Sequence, residues 1–325
     1  MFIHKIMTAL IFLISVPAFA IKTNDLAAFV NQTCQDSVVA NHLFIPRFDL
    51  TSSRTVALVE SPYDGKLKLR VRNPNGKIEV HLLPKMRADG VLAIGDSIWL
   101  LTQNSLVEFS LKEKKIIGRY PTFPKPFEPS QITRARGFAY HSGRIYIAHG
   151  ELGVSVFDLT KKAPTYVLQA GLQPASMIGA VALKGHTLFV LQGAYHPSGF
   201  NGLSIYDLKT GNTKLIKYPL ASGVVDPYKS TMKVSEDRLI INNGGWIHTY
   251  ELSALATASG ELAPRWIPIA ETLPTAGGNV QKYLMINGDL LVNAQNLLAC
   301  SSVHFVPVGE HKPIREARMI HYSFE

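Results

Sequence analysis

Residues Gly137 to Leu159 read Gly-Phe-Ala-Tyr-His-Ser-Gly-Arg-Ile-Tyr-Ile-Ala-His-Gly-Glu-Leu-Gly-Val-Ser-Val-Phe-Asp-Leu. Three short apolar runs stand here, Phe138 to Tyr140, Ile145 to Ala148 and Val154 to Leu159. Turn residues separate them, first His141-Ser142-Gly143 and then His149-Gly150-Glu151-Leu152-Gly153. Their length, β-branched content and punctuation predict antiparallel strands.

The pattern recurs. A second strand of the same kind is predicted at Thr55 to Val59, Ser97 to Leu101, Arg144 to Ala148, Thr187 to Leu191, Arg238 to Asn242 and Asp289 to Asn293. From Val56 through Ile98, Ile145, Leu188 and Leu239 to Leu290 the intervals are 42, 47, 43, 51 and 51 residues. A third strand follows each time: Leu67 to Val71, Leu106 to Leu111, Val154 to Leu159, Leu203 to Leu208, Ile247 to Leu252 and Val303 to Pro307. A period in the forties with four strands per unit predicts an all-β chain folded as a β-propeller. The strands are almost continuously apolar because each blade is sandwiched between neighbours and buries both faces. The count is six blades, or seven if His42 to Leu50 opens a degenerate extra one.

Three regions follow. Residues 1–20 hold Lys5, an apolar run from Ile6 to Val16 and Ala18-Phe19-Ala20, the pattern of a cleavable export signal. The run is shorter than the ~20 residues a spanning helix needs, so no membrane span is expected. Residues 21–42 form an N-terminal cap, with helical spacing over Asn24 to Val30. Residues 43–325 form the propeller. The only cysteines, Cys34 and Cys300, flank the repeats, and in an exported chain they suggest one disulfide joining the cap to the last blade.

The chain has 33 Lys and Arg against 24 Asp and Glu. Loss of residues 1–20 removes one of these cations and leaves a formal +8. The charge is diffuse, which favours anionic partners over nucleic acid. A monomeric periplasmic or secreted protein is expected.

Ile145 to Gly150 with Gly153 to Leu159 and Pro164 resembles the LVIVD repeat of exported propellers, and Leu188 to Val190 with Gly202 to Leu208 is similar. The turn Asp207-Leu208-Lys209-Thr210-Gly211-Asn212 is similar to the wider YVTN and quinoprotein-like group. The resemblance implies an exported propeller. Quinone-dependent members carry a docking tryptophan in each blade, whereas Trp99, Trp246 and Trp266 occupy unlike positions, so no cofactor is expected.

Gly95-Asp96-Ser97-Ile98 resembles the nucleophile block of GDSL-type esterases, but it aligns with the hairpin turn of the other blades. No Gly-x-Ser-x-Gly, His-Glu-x-x-His or Cys-x-x-Cys motif occurs. Binding chemistry is therefore sought on the face shared by the second-to-third loops and the inter-blade connections. Those loops contribute His149, Glu151, Tyr195, His196, Asn201 and Asn243; the connections contribute Arg87, Arg134, Arg136, Lys229, Asn279 and Lys282. This cationic, aromatic, amide-rich mouth suits a small anionic or sugar-like ligand, or a partner protein. The alternative is a propeller hydrolase or lactonase, with an acid–base or metal site built from His149, Glu151 and His196.

Overall fold

The computed structural model describes residues 23–36, 38–39, 42–43, 46–51, 54–60, 66–127, 130, 133–219, 225–267, 270–275, 278–283, 286–305 and 314–324. Side chains are described for these except at 23–24, 36–39, 42–43, 270–288 and 302–318. The expected export signal lies outside the described residues. No described helix is long and apolar enough to cross a membrane.

After α1 (Thr23–Asp36) and a hairpin of β1 (Val38–Val39) and β2 (His42–Leu43), the chain builds blade after blade from the centre outward. Blade 1 is β3 (Arg47–Leu50), β4 (Thr55–Glu60), β5 (Lys66–Arg72) and β6 (Ile78–Lys85). Blade 2 is β7 (Gly90–Ile94), β8 (Ser97–Leu101), β9 (Ser105–Ser110) and β10 (Lys115–Pro121). Blade 3 is β11 (Phe138–His141), β12 (Arg144–Ala148), β13 (Val154–Asp158) and β14 (Ala163–Leu168). Blade 4 is β15 (Ser176–Lys184), β16 (Thr187–Ala194), β17 (Gly202–Asp207) and β18 (Thr213–Lys217).

Blade 5 is β19 (Thr231–Val234), β20 (Arg238–Asn243), β21 (Trp246–Glu251) and, after an excursion, β23 (Arg265–Ile267). The excursion carries α2 (Leu252–Thr257) and β22 (Gly260–Glu261), which adds a parallel fifth strand to β18 of blade 4. The hairpin of β24 (Ala270–Thr275) and β25 (Gly278–Tyr283) precedes blade 6, which is β26 (Ile286–Val292), β27 (Asn296–Phe305) and β28 (Ile314–Ser323). The propeller has six blades. The innermost strands touch in a closed ring, β3 to β7, β11, β15, β19, β26 and back to β3.

Blade 6 corrects the strand assignment. Asp289 to Asn293 begins in the innermost strand, not the second, and Val303 to Phe305 lies in the second, not the third. The inserted hairpin of β24 and β25 lengthens the interval and shifts the register by one strand.

Each inter-blade gap holds its own apolar cluster, with fully buried side chains such as Leu69, Leu100, Ile147 and Leu191. Burying one such side chain contributes roughly 1.5–3 kcal/mol. The gap between blades 6 and 1 is filled differently. Helix α1 presents Leu26, Phe29, Val30 and Cys34 at helical spacing to Phe48 and Ala57 of blade 1 and Leu291 and Leu298 of blade 6. Cys34 is bonded to Cys300 there, Cα to Cα 5.3 Å. The Asp25 carboxylate accepts from Arg72 at 3.0 Å, and Arg70 lies over the Phe29 ring.

Candidate functional site

In an all-antiparallel blade, second-to-third loops and inter-blade connections emerge on one face of the ring. Arg136 is set there by the strand period. Its N–H donates to Ala148 O at 3.0 Å and Ala148 N–H donates to Gly137 O, which extends the pairing of β11 with β12. Alternation then turns Ala135 into the core of blades 2 and 3, and Arg134 and Arg136 the other way.

Arg136 is only 9% exposed, and its three guanidinium nitrogens have no hydrogen-bond partner among the described residues. Its guanidinium carbon lies 4.7 Å from the centroid of the Tyr228 ring, which is half exposed above it. Burial, and after it the Arg134 charge, lowers the Arg136 pKa to about 10, against opposing pulls from Tyr228, Asp89 and Asp226. It remains a cation at neutral pH.

Tyr228 reaches this position because two glycines make room. A Cβ on Gly179 would lie 2.7 Å from Pro227 Cα, and one on Gly193 would lie 2.6 Å from Pro227 Cδ. The connection from Asp226 to Ser230 therefore lies down on blade 4. Asn243 Oδ1 accepts from Asp226 N at 2.7 Å and from Ser230 Oγ at 3.2 Å, while Asp226 Oδ1 accepts from Tyr228 N at 2.9 Å.

Below Arg136 the channel narrows to a chamber of ≈ 30 Å³ walled by Asp89, Ser230, Thr231, Lys233 and Asp289. Lys233 Nζ stands 3.1 Å from Asp289 and donates to Phe48 O at 3.0 Å, tying blades 5, 6 and 1. Burial alone would depress Lys233, but Asp289 and Asp49 outweigh it and raise its pKa. Burial raises Asp49, offset by Lys233 and by the Ala93 N–H that donates to it at 2.8 Å. Burial lowers Arg47, against Asp289 and Asp89. Beyond this waist a cavity of ≈ 270 Å³, walled by all six innermost strands, leads toward the opposite face. Arg47, Arg87, Arg134, Arg136, Lys229 and Lys233 thus surround Asp49, Asp89, Asp226 and Asp289, an excess of two positive charges.

Of the residues singled out in the sequence, Arg134 and Arg136 meet at the mouth. Arg87 pairs with Asp89 at 3.6 Å and Lys229 with Asp226 at 3.9 Å. Asn243 shapes the Asp226 turn and is 7% exposed. His149 is fully buried, and its ring nitrogens face Thr133 O at 3.3 Å and Thr122 O at 3.2 Å, between Phe123 and Phe127. It fastens the connection that carries Arg134 and Arg136, its ring held against backbone carbonyls of that connection. Burial pushes its pKa down to about 4, against the two carbonyls.

His196 Nδ1 meets Ser198 Oγ at 2.9 Å, and Asn201 Oδ1 accepts from Ala194 N at 3.2 Å, so both shape the rim loop on which Tyr195 stands exposed. Glu151 is half-buried in the turn after β12. The side chains of Asn279 and Lys282, both in β25, lie outside the described residues. Among the described residues no three His, Cys, Asp or Glu side chains converge to hold a metal ion.

Sequence reading passed over Asp49, Asp89, Asp226, Lys233 and Asp289. Asp49, Lys233 and Asp289 are marked only as charges inside short apolar strands, as in Arg47-Phe48-Asp49-Leu50 and Thr231-Met232-Lys233-Val234, and Asp89 and Asp226 lie in inter-blade connections with no mark of their own.

No family model and no curated protein matches the chain. Among solved structures it is similar to BamB from Moraxella catarrhalis, at 14% identity over 81% of this chain and 82% of that one, TM-score 0.44. It is also similar to the computationally designed Ika8 protein, at 10% identity over 86% and 90%, TM-score 0.42. PorZ of the type-IX secretion system of Porphyromonas gingivalis is similar at 11% identity over 85% of this chain and 38% of that one, TM-score 0.45.

Proposed function

We propose that this protein is an exported, extracytoplasmic propeller that binds an anionic group at its channel mouth and leaves it chemically unchanged. The group is a carboxylate or oxyanion on a small ligand or on a partner protein. The observation that carries the reading is Arg136, a cation buried to 9% exposure with three unpartnered nitrogens and one face laid on Tyr228. A buried polar group without a partner costs about 1–3 kcal/mol, more when charged, and such a group marks a place where a partner belongs. The guanidinium fork matches two oxygens of one anion, and the mouth's surplus of positive charge matches it in sign. Export is supported by the Cys34–Cys300 bond, which persists in oxidising compartments, and by the residues of the signal pattern.

Thermal melts of the purified protein with inorganic phosphate, sulfate, citrate and a triglutamate peptide test this. At least one anion is expected to raise Tm saturably; Arg136→Met removes that response, and Arg136→Lys retains part of it. No response from the native protein, or an unchanged response in Arg136→Met, overturns the reading.

A further inference from the structure

On the ring face opposite the mouth, the crevice between blades 3 and 4 lacks the side chain that fills its neighbour. Between blades 2 and 3 the crevice is plugged. Lys162, in the turn after β13, reaches back to the buried Glu108 carboxylate, with its ammonium 5.2 Å from the Trp99 ring centroid and 5.5 Å from that of Tyr120. Phe157 closes the aromatic cluster at 5.7 Å from both rings.

The repeat places Tyr146 of β12 where β8 has Trp99, Tyr206 of β17 where β13 has Phe157, and Val156 of β13 where β9 has Glu108. It places Gly211 where the preceding turn has Lys162: Asp207-Leu208-Lys209-Thr210-Gly211 against Asp158-Leu159-Thr160-Lys161-Lys162. Both residues are left-handed, with φ of 75° at Gly211 and 53° at Lys162. The plug is absent, and a cavity of ≈ 470 Å³ remains.

Its walls are specific. Tyr146 and the 40%-exposed Tyr166 line blade 3's side, and Tyr206 lines blade 4's. Arg144 Nη1 stands 3.4 Å from Tyr166 Oη, and its charge opposes the rise that burial causes in the Tyr146 pKa. At the inner end the turns of blades 3 and 4 bring His141 and His186 edge to face, ring centroids 5.1 Å apart. The nearby carboxylates are occupied: Asp158 accepts from the N–H groups of Thr160 and Lys161, and Asp207 from those of Lys209 and Thr210.

We propose that this crevice is a glycan-binding site for one or two pyranose rings. Phenol rings offer flat apolar faces to the C–H face of a sugar, and imidazoles, guanidinium and hydroxyls offer planar donors and acceptors to its hydroxyl edge. The volume lies in the range of small-ligand sites. An ammonium like that of Lys162 is disfavoured, because Val156 replaces Glu108 and Arg144 adds positive charge. The site stands independently of the anion-binding mouth.

The test is a saturation-transfer NMR titration with cellobiose, maltose and di-N-acetylchitobiose, and co-sedimentation with insoluble cellulose and chitin to separate free sugar from polymer. At least one saccharide is expected to bind. Gly211→Lys, made together with Val156→Glu so that the Lys162–Glu108 pair of the neighbouring crevice is rebuilt, is expected to plug the crevice. Tyr166→Ala is expected to weaken binding about tenfold, and Arg136→Met to leave it unchanged. Binding of no saccharide by the native protein, or binding that survives both this double variant and Tyr166→Ala, overturns the proposal. So does occupation of the crevice by a polyproline peptide in place of sugar. Circular dichroism of the double variant guards against misfolding, and Tyr166→Ala decides if that variant fails to fold.

Discussion

Blades 3 and 6 solve the same problem by unlike means. Each must seal itself against the blade before and after it. Blade 3 does so with its own four strands and with side chains reaching sideways, Lys162 to blade 2 and His149 to the connection between blades 2 and 3. Blade 6 is a three-stranded sheet whose far side is covered by a helix from the other end of the chain, held by a covalent bond. A blade in mid-chain is positioned by neighbours on both sides of it in sequence. The last blade must capture the start of the chain across nearly its whole length, and the entropy of that closure falls on a single junction.

Breaking the junction should cost most. Cys34→Ser with Cys300→Ser, or reduction of the native protein, is expected to lower the unfolding free energy by about 4–5 kcal/mol, judged by the loop enclosed. Denaturant melts with and without reductant measure it. A loss under about 1 kcal/mol would mean that α1 packing alone closes the ring, and that blade 6 is less different from blade 3 than it looks.

The side-chain ties of blade 3 are next. Lys162→Met leaves the Glu108 carboxylate, which is 4% exposed, with the Ser97 and Tyr120 hydroxyls as donors but without the Lys162 charge, and is expected to cost about 2–3 kcal/mol. Because Lys162 is itself partly exposed, screening holds the figure toward the lower end. Adding Glu108→Leu is expected to restore most of the loss, and chemical denaturation of both variants checks the pair.

The most gradual effect comes from acid, and over the first pH unit below 6.5 it is also the smallest. Folded His149 stays neutral down to about pH 4, whereas the unfolded chain binds that proton near pH 6.5. Its contribution is therefore full above pH 6.5 and is lost as pH falls toward 4, by up to about 3 kcal/mol. Melts across that range should show the slope, and His149→Leu should flatten it.

The strands of blade 3 were readable because a sandwiched sheet demands runs such as Ile145 to Ala148, and no other local structure uses them at that spacing. Blade 6 was misread by one strand because Asn287-Gly288 has the look of the hairpin turn that precedes the second strand of blades 2 and 3, whereas it lies inside β26. At the mouth, Arg136 was legible from its distance to an innermost strand. The charges beneath it were not: Asp49 and Lys233 sit in four-residue strands that look like loop in sequence, and only closure of the ring brings them together. His149 drew attention as a titrating side chain, but its partners are the backbone carbonyls of Thr122 and Thr133, which leave no mark in sequence. The contrast of Lys162 with Gly211 was visible all along in two aligned turns, and it acquired meaning once Glu108 and Trp99 were seen beneath the lysine.

The bond between Cys34 and Cys300 also decides how the molecule answers a mechanical pull. It spans 266 residues of sequence, so a force applied at the two ends first peels β28, which lies beyond Cys300, and then runs through the sulfur atoms, bypassing blades 1 to 5. Of the chain's contour, about 900 Å at the extended spacing per residue is shielded, and only the flanking ends lengthen. Under reducing conditions the same pull would pass beyond β28 and unzip the ring from blade 6 inward, blade by blade.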